Sequence, residues 1–114
     1  MINPGIYNIT AYQGATYKLS LSWTIADAPV DLTNYTAAMQ VRESTASSST
    51  ILDLSTGSGI TLGGTAGTIE INVPAATMEL TPAGTYVYDL ELYSGAEVTR
   101  LIQGGFAIQA EVTR

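Results

Sequence analysis

Between Tyr86 and Leu92 every second residue is a large tyrosine or leucine, and the positions between them hold Val87, Asp89 and Glu91, directly behind a Pro-Ala-Gly corner in LTPAGTYVYDLELYSG. That alternation matches a strand, whose successive side chains point to opposite faces, and no helix of period 3.6 can reproduce it. The same pattern recurs. In TYKLSLSWTI, Tyr17, Leu19, Leu21, Trp23 and Ile25 share one face while Lys18, Ser20, Ser22 and Thr24 share the other. Ala37, Met39 and Val41 oppose Gln40 and Arg42, and Ile69, Ile71 and Val73 oppose Thr68, Glu70 and Asn72. Each reads as a strand with one buried and one wet face, so the expected fold class is all-β.

The segments between these runs carry turn chemistry. Ser94-Gly95-Ala96 predicts a tight turn, after which EVTRLIQGGFAIQAEV returns as a partner strand. Its Gly104-Gly105 pair predicts a bulge or bend before Phe106, Ile108, Ala110 and Val112 resume the inward row. DAPVDLTNY, ESTASSST, STGSG and GGTAG read as loops. PAATMEL is the one candidate helical turn, near residues 75–80, with Pro74 setting its start and Thr81-Pro82 its stop. About seven strands at this spacing predict a single antiparallel β-sandwich covering residues 1–114, of immunoglobulin-like kind. In such sandwiches a tyrosine two residues before a core position bonds back to the backbone at a corner; Tyr86, two before Tyr88, has that placement, with Trp23 as the large core ring.

Composition narrows the functional classes. A chain of 114 residues is the size of one domain, and folding should bury roughly 60–70% of its extended surface. Four basic residues against ten acidic ones give a net charge of −6, a poor match to phosphate backbones or anionic lipid, so neither nucleic acid nor membrane is an expected partner. MINPGIYNIT holds neither a basic leader nor a long apolar run, so synthesis in a cytoplasm without a signal peptide is expected. The chain has 25 serines and threonines but only 12% charged residues, a surface suited to a stable assembly.

Chemistry is sparse. With no cysteine and no histidine, thiolate and imidazole nucleophiles and metal sites built on them are excluded. Asp89 and Glu91 share a strand face about 6.6–6.8 Å apart at the backbone, a spacing at which two carboxyls can act as acid and base, but a solvated strand face is the favoured reading. Asp27, Asp31 and Asn34 offer oxygens to calcium, yet DAPVDLTN does not match the EF-hand loop and these residues equally form turns. GSGITLGGTAG lacks the Gly-Lys-Ser/Thr ending of a phosphate loop. The sequons at Asn8 and Asn34 read as chance matches, and Tyr7, Tyr12 and Tyr35 as strand residues with a lesser prospect of a sugar-stacking surface. No catalytic, cofactor-binding or metal-ligating residue is assigned, no cofactor is expected, and the chain is expected not to be an enzyme.

PVDLTNYTAAMQVRES, GITLGGTAGTIEI, LTPAGTYVYDLEL and VTRLIQGGFAIQAEVT, in this order, resemble segments of small structural proteins of tailed bacteriophages and prophages, and the immunoglobulin-like N-terminal domains of phage baseplate and fibre proteins. Asn34 stands where that group usually has glycine. The resemblance runs from about Tyr12 to Thr113 and brings no catalytic residues with it. It implies a non-enzymatic virion structural or assembly protein of the tail, baseplate or fibre region, made in the host cytoplasm and located in the virion. Other virion proteins are the implied partners, with homo-oligomers packed around a symmetry axis. Capsid decoration, or a carbohydrate- or receptor-binding module, are the alternative functions.

Overall fold

The computed structural model of the chain describes residues 5–110. Its strands are β1 (Gly5–Ile6), β2 (Ile9–Tyr12), β3 (Tyr17–Ser22), β4 (Thr24–Ile25), β5 (Ala28–Pro29), β6 (Thr36–Arg42), β7 (Leu52–Thr56), β8 (Gly59–Leu62), β9 (Thr68–Val73), β10 (Gly84–Ser94) and β11 (Glu97–Gln109). A 3₁₀ turn spans Gly64–Ala66 and one short helix, α1, spans Ala75–Glu79. The all-β expectation holds, and the helical turn falls where proline and alanines placed it, with Met78 driven into the core and Leu80 left 85% exposed.

The strand count differs from about seven. Among the described residues there are eleven strands, nine of them in one sheet with β1-β11-β10-β6-β7-β8-β9-β3 in order and β2 also on β11; β4 and β5 form a separate hairpin. The surplus comes from pieces too short to show a period: β1, β4 and β5 have two residues each. Strand β7 was hidden because only Leu52 and Leu54 are apolar, between polar low-complexity stretches.

This sheet is curled. Strand β3 lies six steps from β11 along the sheet, a separation of about 29 Å if flat, yet the Tyr17 ring meets Phe106 edge-on at 5.8 Å. The fold-back happens at residues 55–60, where only two residue pairs, Ser55↔Gly59 and Thr56↔Ile60, link β7 to β8 in parallel. True parallel neighbours need a long crossover, so this link is a corner: Ser58 N–H donates to Ser55 O at 2.8 Å, and Gly57 N–H to Ile60 O at 3.0 Å. The inward rows on either side of it, Met39, Val41, Tyr88, Leu90, Leu92, Phe106 and Ile108 on one and Ile60, Ile69, Ile71 and Val73 on the other, form one buried cluster.

Four details of strand pairing bear on function. Ile25, expected inward, is 55% exposed, because the chain leaves the sheet after Trp23 and turns into the β4–β5 hairpin. Gly104 and Gly105 sit in regular pairing with Tyr88 and Val87, and the irregularity lies instead between Leu90 and Glu91, opposite Leu101. The glycines serve close approach: a Cβ on Gly104 would stand 2.6 Å from Tyr7 O and 2.8 Å from Asn8 Oδ1. From Gly5 onward the N-terminal segment is spent within the chain, β1 and β2 both running parallel along β11. Residues 1–4 and 111–114, Val112 among them, lie outside the described residues.

The predicted tyrosine corner is present as a local feature. Tyr86 Oη donates to Pro82 O at 2.8 Å, and Thr81, the buried polar residue beside it, returns its hydroxyl to Thr77 O at 2.9 Å. Tyr88, two positions on, donates to Tyr7 O at 2.5 Å and packs edge-on against Phe106. Burial, and then the neighbouring Tyr17 and Tyr7, push the Tyr88 phenol far above its ordinary range, and burial likewise lifts Tyr17 to about 12. Both phenols therefore stay neutral at physiological pH, Tyr88 as a donor and packing ring and Tyr17 as a packing ring.

Candidate functional site

The outward rows of β6, β10 and β11 form the most chemically furnished surface of the molecule. Residues paired across the sheet lie on the same face, so Asp89 lines up with Gln103 on one side and Gln40 on the other, and Glu91 with Arg100 and Ala38. Asp89, Gln103, Gln40, Glu91 and Arg100, together with Arg42, Thr45 and Val87, line an open depression of about 330 Å³.

The bulge makes this arrangement. From the hairpin turn outward, Ser94 pairs with Glu97 and Leu92 with Thr99, and uninterrupted pairing on the other side of the irregularity, Leu90 with Ile102, would bring Leu101 opposite Glu91. One extra residue on β11 instead puts Arg100 opposite Glu91, on the carboxylates' face. A register slip of one residue exchanges the two faces of a strand, so without the bulge Arg100 would share the inward row. Its guanidinium spans both acids, with Nε 3.3 Å from Asp89 Oδ2 and Nη2 3.6 Å from Glu91 Oε2.

The rest of the network is also engaged. Tyr93 Oη donates to Glu91 Oε1 at 3.0 Å, and Arg42 donates to Gln40 Oε1 and to Ser47 O, each at 2.8 Å. Partial burial and the Glu91 charge raise the Asp89 pKa against the opposing pull of Arg100 and Arg42. Burial, the Glu91 hydrogen bond and both carboxylates raise that of Tyr93. These are half-exposed groups, so each ion pair contributes about 0–1 kcal/mol. Chemically the surface offers two planar cations, two carboxylates and two amides, able to bind polar ligands or a polar partner face.

The other candidates are dispersed. Asp27 occupies the tip of the β4–β5 hairpin with a φ of 64°, while Asp31 accepts from both the amide and the hydroxyl of Thr33, which holds its carboxyl below the usual value. Among the described residues no three acidic side chains converge on a common point. In the glycine-rich stretch, Gly67 has a φ of 69° and accepts the Trp23 N–H at 2.8 Å, so close that a Cβ there would lie 2.8 Å from Trp23 O. Asn8 places its Oδ1 3.0 Å from the Gly105 N–H. Tyr35 packs edge-on against Trp23 at 6.0 Å, apart from Tyr7 and Tyr12, so the three rings form no common stacking surface.

Sequence reasoning missed Arg100 as the partner of both acids. The signal was present as a parity conflict: the Gly95-Ala96 turn pairs even positions of β10 with odd positions of β11, whereas the inward rows Tyr86–Leu92 and Phe106–Ile108 are both even. A single bulge between them is the only reconciliation.

A second surface is the margin of the sheet at β3. Its row Tyr17, Leu19 and Leu21 is only half-buried, although each residue stands beside a fully buried partner on β9, namely Val73, Ile71 and Ile69. On its other side β3 has no strand partner among the described residues. No helix of the described chain is long and apolar enough to cross a membrane. No protein-family model matches the chain, and no curated protein matches it.

Proposed function

We propose that this chain is a non-enzymatic structural or assembly protein of a tailed-phage virion, placed in the tail, baseplate or fibre region and folded as an immunoglobulin-like sandwich. The observation that carries the reading is the unpaired β3 margin with its half-buried apolar row. A free-standing protein blunts such an edge with proline, repeated charge or a covering segment; β3 has one lysine, no proline and, among the described residues, no covering strand. A protein held by neighbours has a use for it, since an added strand gains main-chain hydrogen bonds along the whole margin.

Support for the sandwich comes from three features. The corner at residues 55–60 separates a layer of β1, β2, β11, β10, β6 and β7 from one of β8, β9 and β3; the chain crosses between them four times; and the Tyr86 corner lies where such sandwiches carry it. The network around Asp89 favours structure over catalysis, because both carboxylates are tied to Arg100. The depression it lines supports a second reading, a carbohydrate- or receptor-binding module, with amides and guanidinium groups available to sugar hydroxyls.

Mass spectrometry of particles purified from the strain that encodes the chain tests the first reading. A fixed copy number per particle, from six to a few dozen, is expected for tail or baseplate parts, and hundreds for capsid decoration. Absence from the particles overturns it. Glycan binding that is lost on Arg42→Ala, in a protein missing from particles, would establish the second.

A further inference from the structure

We propose that β3 is the pairing edge for a second copy of this chain, the two β3 strands running antiparallel about a two-fold axis at Leu19, with Lys18 of each copy aligned on Glu70 of the other. The proposal deepens the assembly reading by naming one partner and the contact that holds it.

Three observations lead there. First, the margin is open among the described residues, where β3 pairs with β9 alone, and its residues 17–22 contain no proline and no acid in a chain of net charge −6. Two copies approaching along any acid-bearing strand would repel; along β3 they would not.

Second, the alternation of β3 is self-complementary. Residues that face each other in an antiparallel pair lie on one face, so pairing about Leu19 sets Leu19 against Leu19 and Tyr17 against Leu21 of the other copy. The half-buried row of each copy is then completed by that of its partner, and the buried row of β9 behind it becomes the interior of a continuous six-stranded sheet. A slip of one residue would oppose an apolar face to a polar one, and of the registers that keep the faces matched, an axis at Lys18 would oppose two lysines and an axis at Ser20 would set Lys18 beside Ser22 and Thr68, away from Glu70.

Third, the outer face is complementary in charge. Lys18 is exposed and makes no ion pair among the described residues, and Glu70 is likewise exposed beside Ser20 on β9. In the proposed register Lys18 of one copy faces Ser20 of the other, which places it in line with Glu70 two strands away. That is about 9.6 Å between backbones, a gap that a lysine and a glutamate side chain reaching toward each other can close. The two-fold axis makes the contact twice.

Because the chain contains no cysteine, one introduced thiol reports the register directly. Leu19→Cys is expected to form a disulfide-linked dimer on mild oxidation, since residues opposed at the axis stand about 4.5–5.5 Å apart. Ser22→Cys is expected to stay unlinked, its counterpart being about 20 Å away along the strands. Sedimentation equilibrium supplies the second arm and does not depend on the cysteine variants. Lys18→Glu is expected to weaken dimerisation roughly tenfold by facing like charges across the pair, and adding Glu70→Lys to it should restore the wild-type constant. A monomer at every concentration, a dimer indifferent to the charge swap, or equal cross-linking at both positions overturns the proposal. The measurement uses the purified chain alone, so its failure is distinct from absence of the protein from particles.

Discussion

At the β11 margin of the curled sheet the chain finishes its own ladder with residues 5–12, whereas the β3 margin, only a ring contact away across the core, carries no further strand among the described residues. The covered margin is sealed by specific devices: Gly104 lets the backbone of Tyr7 approach, Asn8 caps the Gly105 amide, and Tyr88 reaches through from β10 to bind Tyr7 O. Behind that seal Phe106 is only 1% exposed. At the open margin the corresponding apolar row is half-buried, and a lone lysine is the only charged residue. One edge is therefore completed in folding, while the other keeps one side of its strand unpaired among the described residues.

The contrast is sharpest for core truncation. Phe106→Ala, behind the sealed edge, should cost about 3–5 kcal/mol in urea denaturation, while Leu19→Ala, measured where the protein is dilute, should cost roughly 1 kcal/mol because half its surface is already wet. Equal losses would mean the two edges are not different. Added bulk gives the next largest effect. Gly104→Val should cost about 1–3 kcal/mol by pushing Tyr7 and Asn8 off β11, against a change within about 0.5 kcal/mol for Ser20→Val on the open strand. A thermal melt of each variant suffices to compare them.

Smaller again are the hydroxyl deletions. Tyr88→Phe and Tyr86→Phe should each cost about 0.5–1.5 kcal/mol, but only the first should speed hydrogen exchange along β1 and β2, since it alone releases the cover. The smallest effect belongs to the charged face between the edges. The Asp89 pKa is raised above 3.8 in the folded state, so the folded protein holds that proton more tightly than the unfolded chain. Its contribution to stability therefore falls as pH rises through the window just above 3.8 and stays at its low value at neutral pH. Asp89→Asn should leave stability at pH 7 within about 0.5 kcal/mol of wild type and flatten the stability difference across that acidic window. A variant whose stability follows the wild-type pH profile unchanged across that window would relocate the titration to another group.

What could be read in advance followed local periodicity. The rows of β6, β9 and β10 alternate strictly and are buried as the alternation says, and α1 lies between the two prolines that bound it. The cover of β11 is not legible in the sequence, because the Asn8 side-chain oxygen accepts across 97 positions from the Gly105 N–H, a backbone donor that nearly every residue possesses. The Gly104-Gly105 pair was seen but given the wrong cause, since a glycine that permits a close neighbour and a glycine that permits a bend look alike in one dimension. The bulge itself was legible in the parity of the two inward rows, and with it the outward turn of Arg100 that creates the candidate site.

The corner at residues 55–60 has a mechanical consequence. Tension applied along β10 and β11 would be shared by eleven residue pairs loaded at once, while tension that parts the two halves meets just two pairs at Ser55–Gly59 and Thr56–Ile60. The molecule should thus be stiff along its long hairpin and compliant at its fold line, yielding there first and closing again when the load is removed.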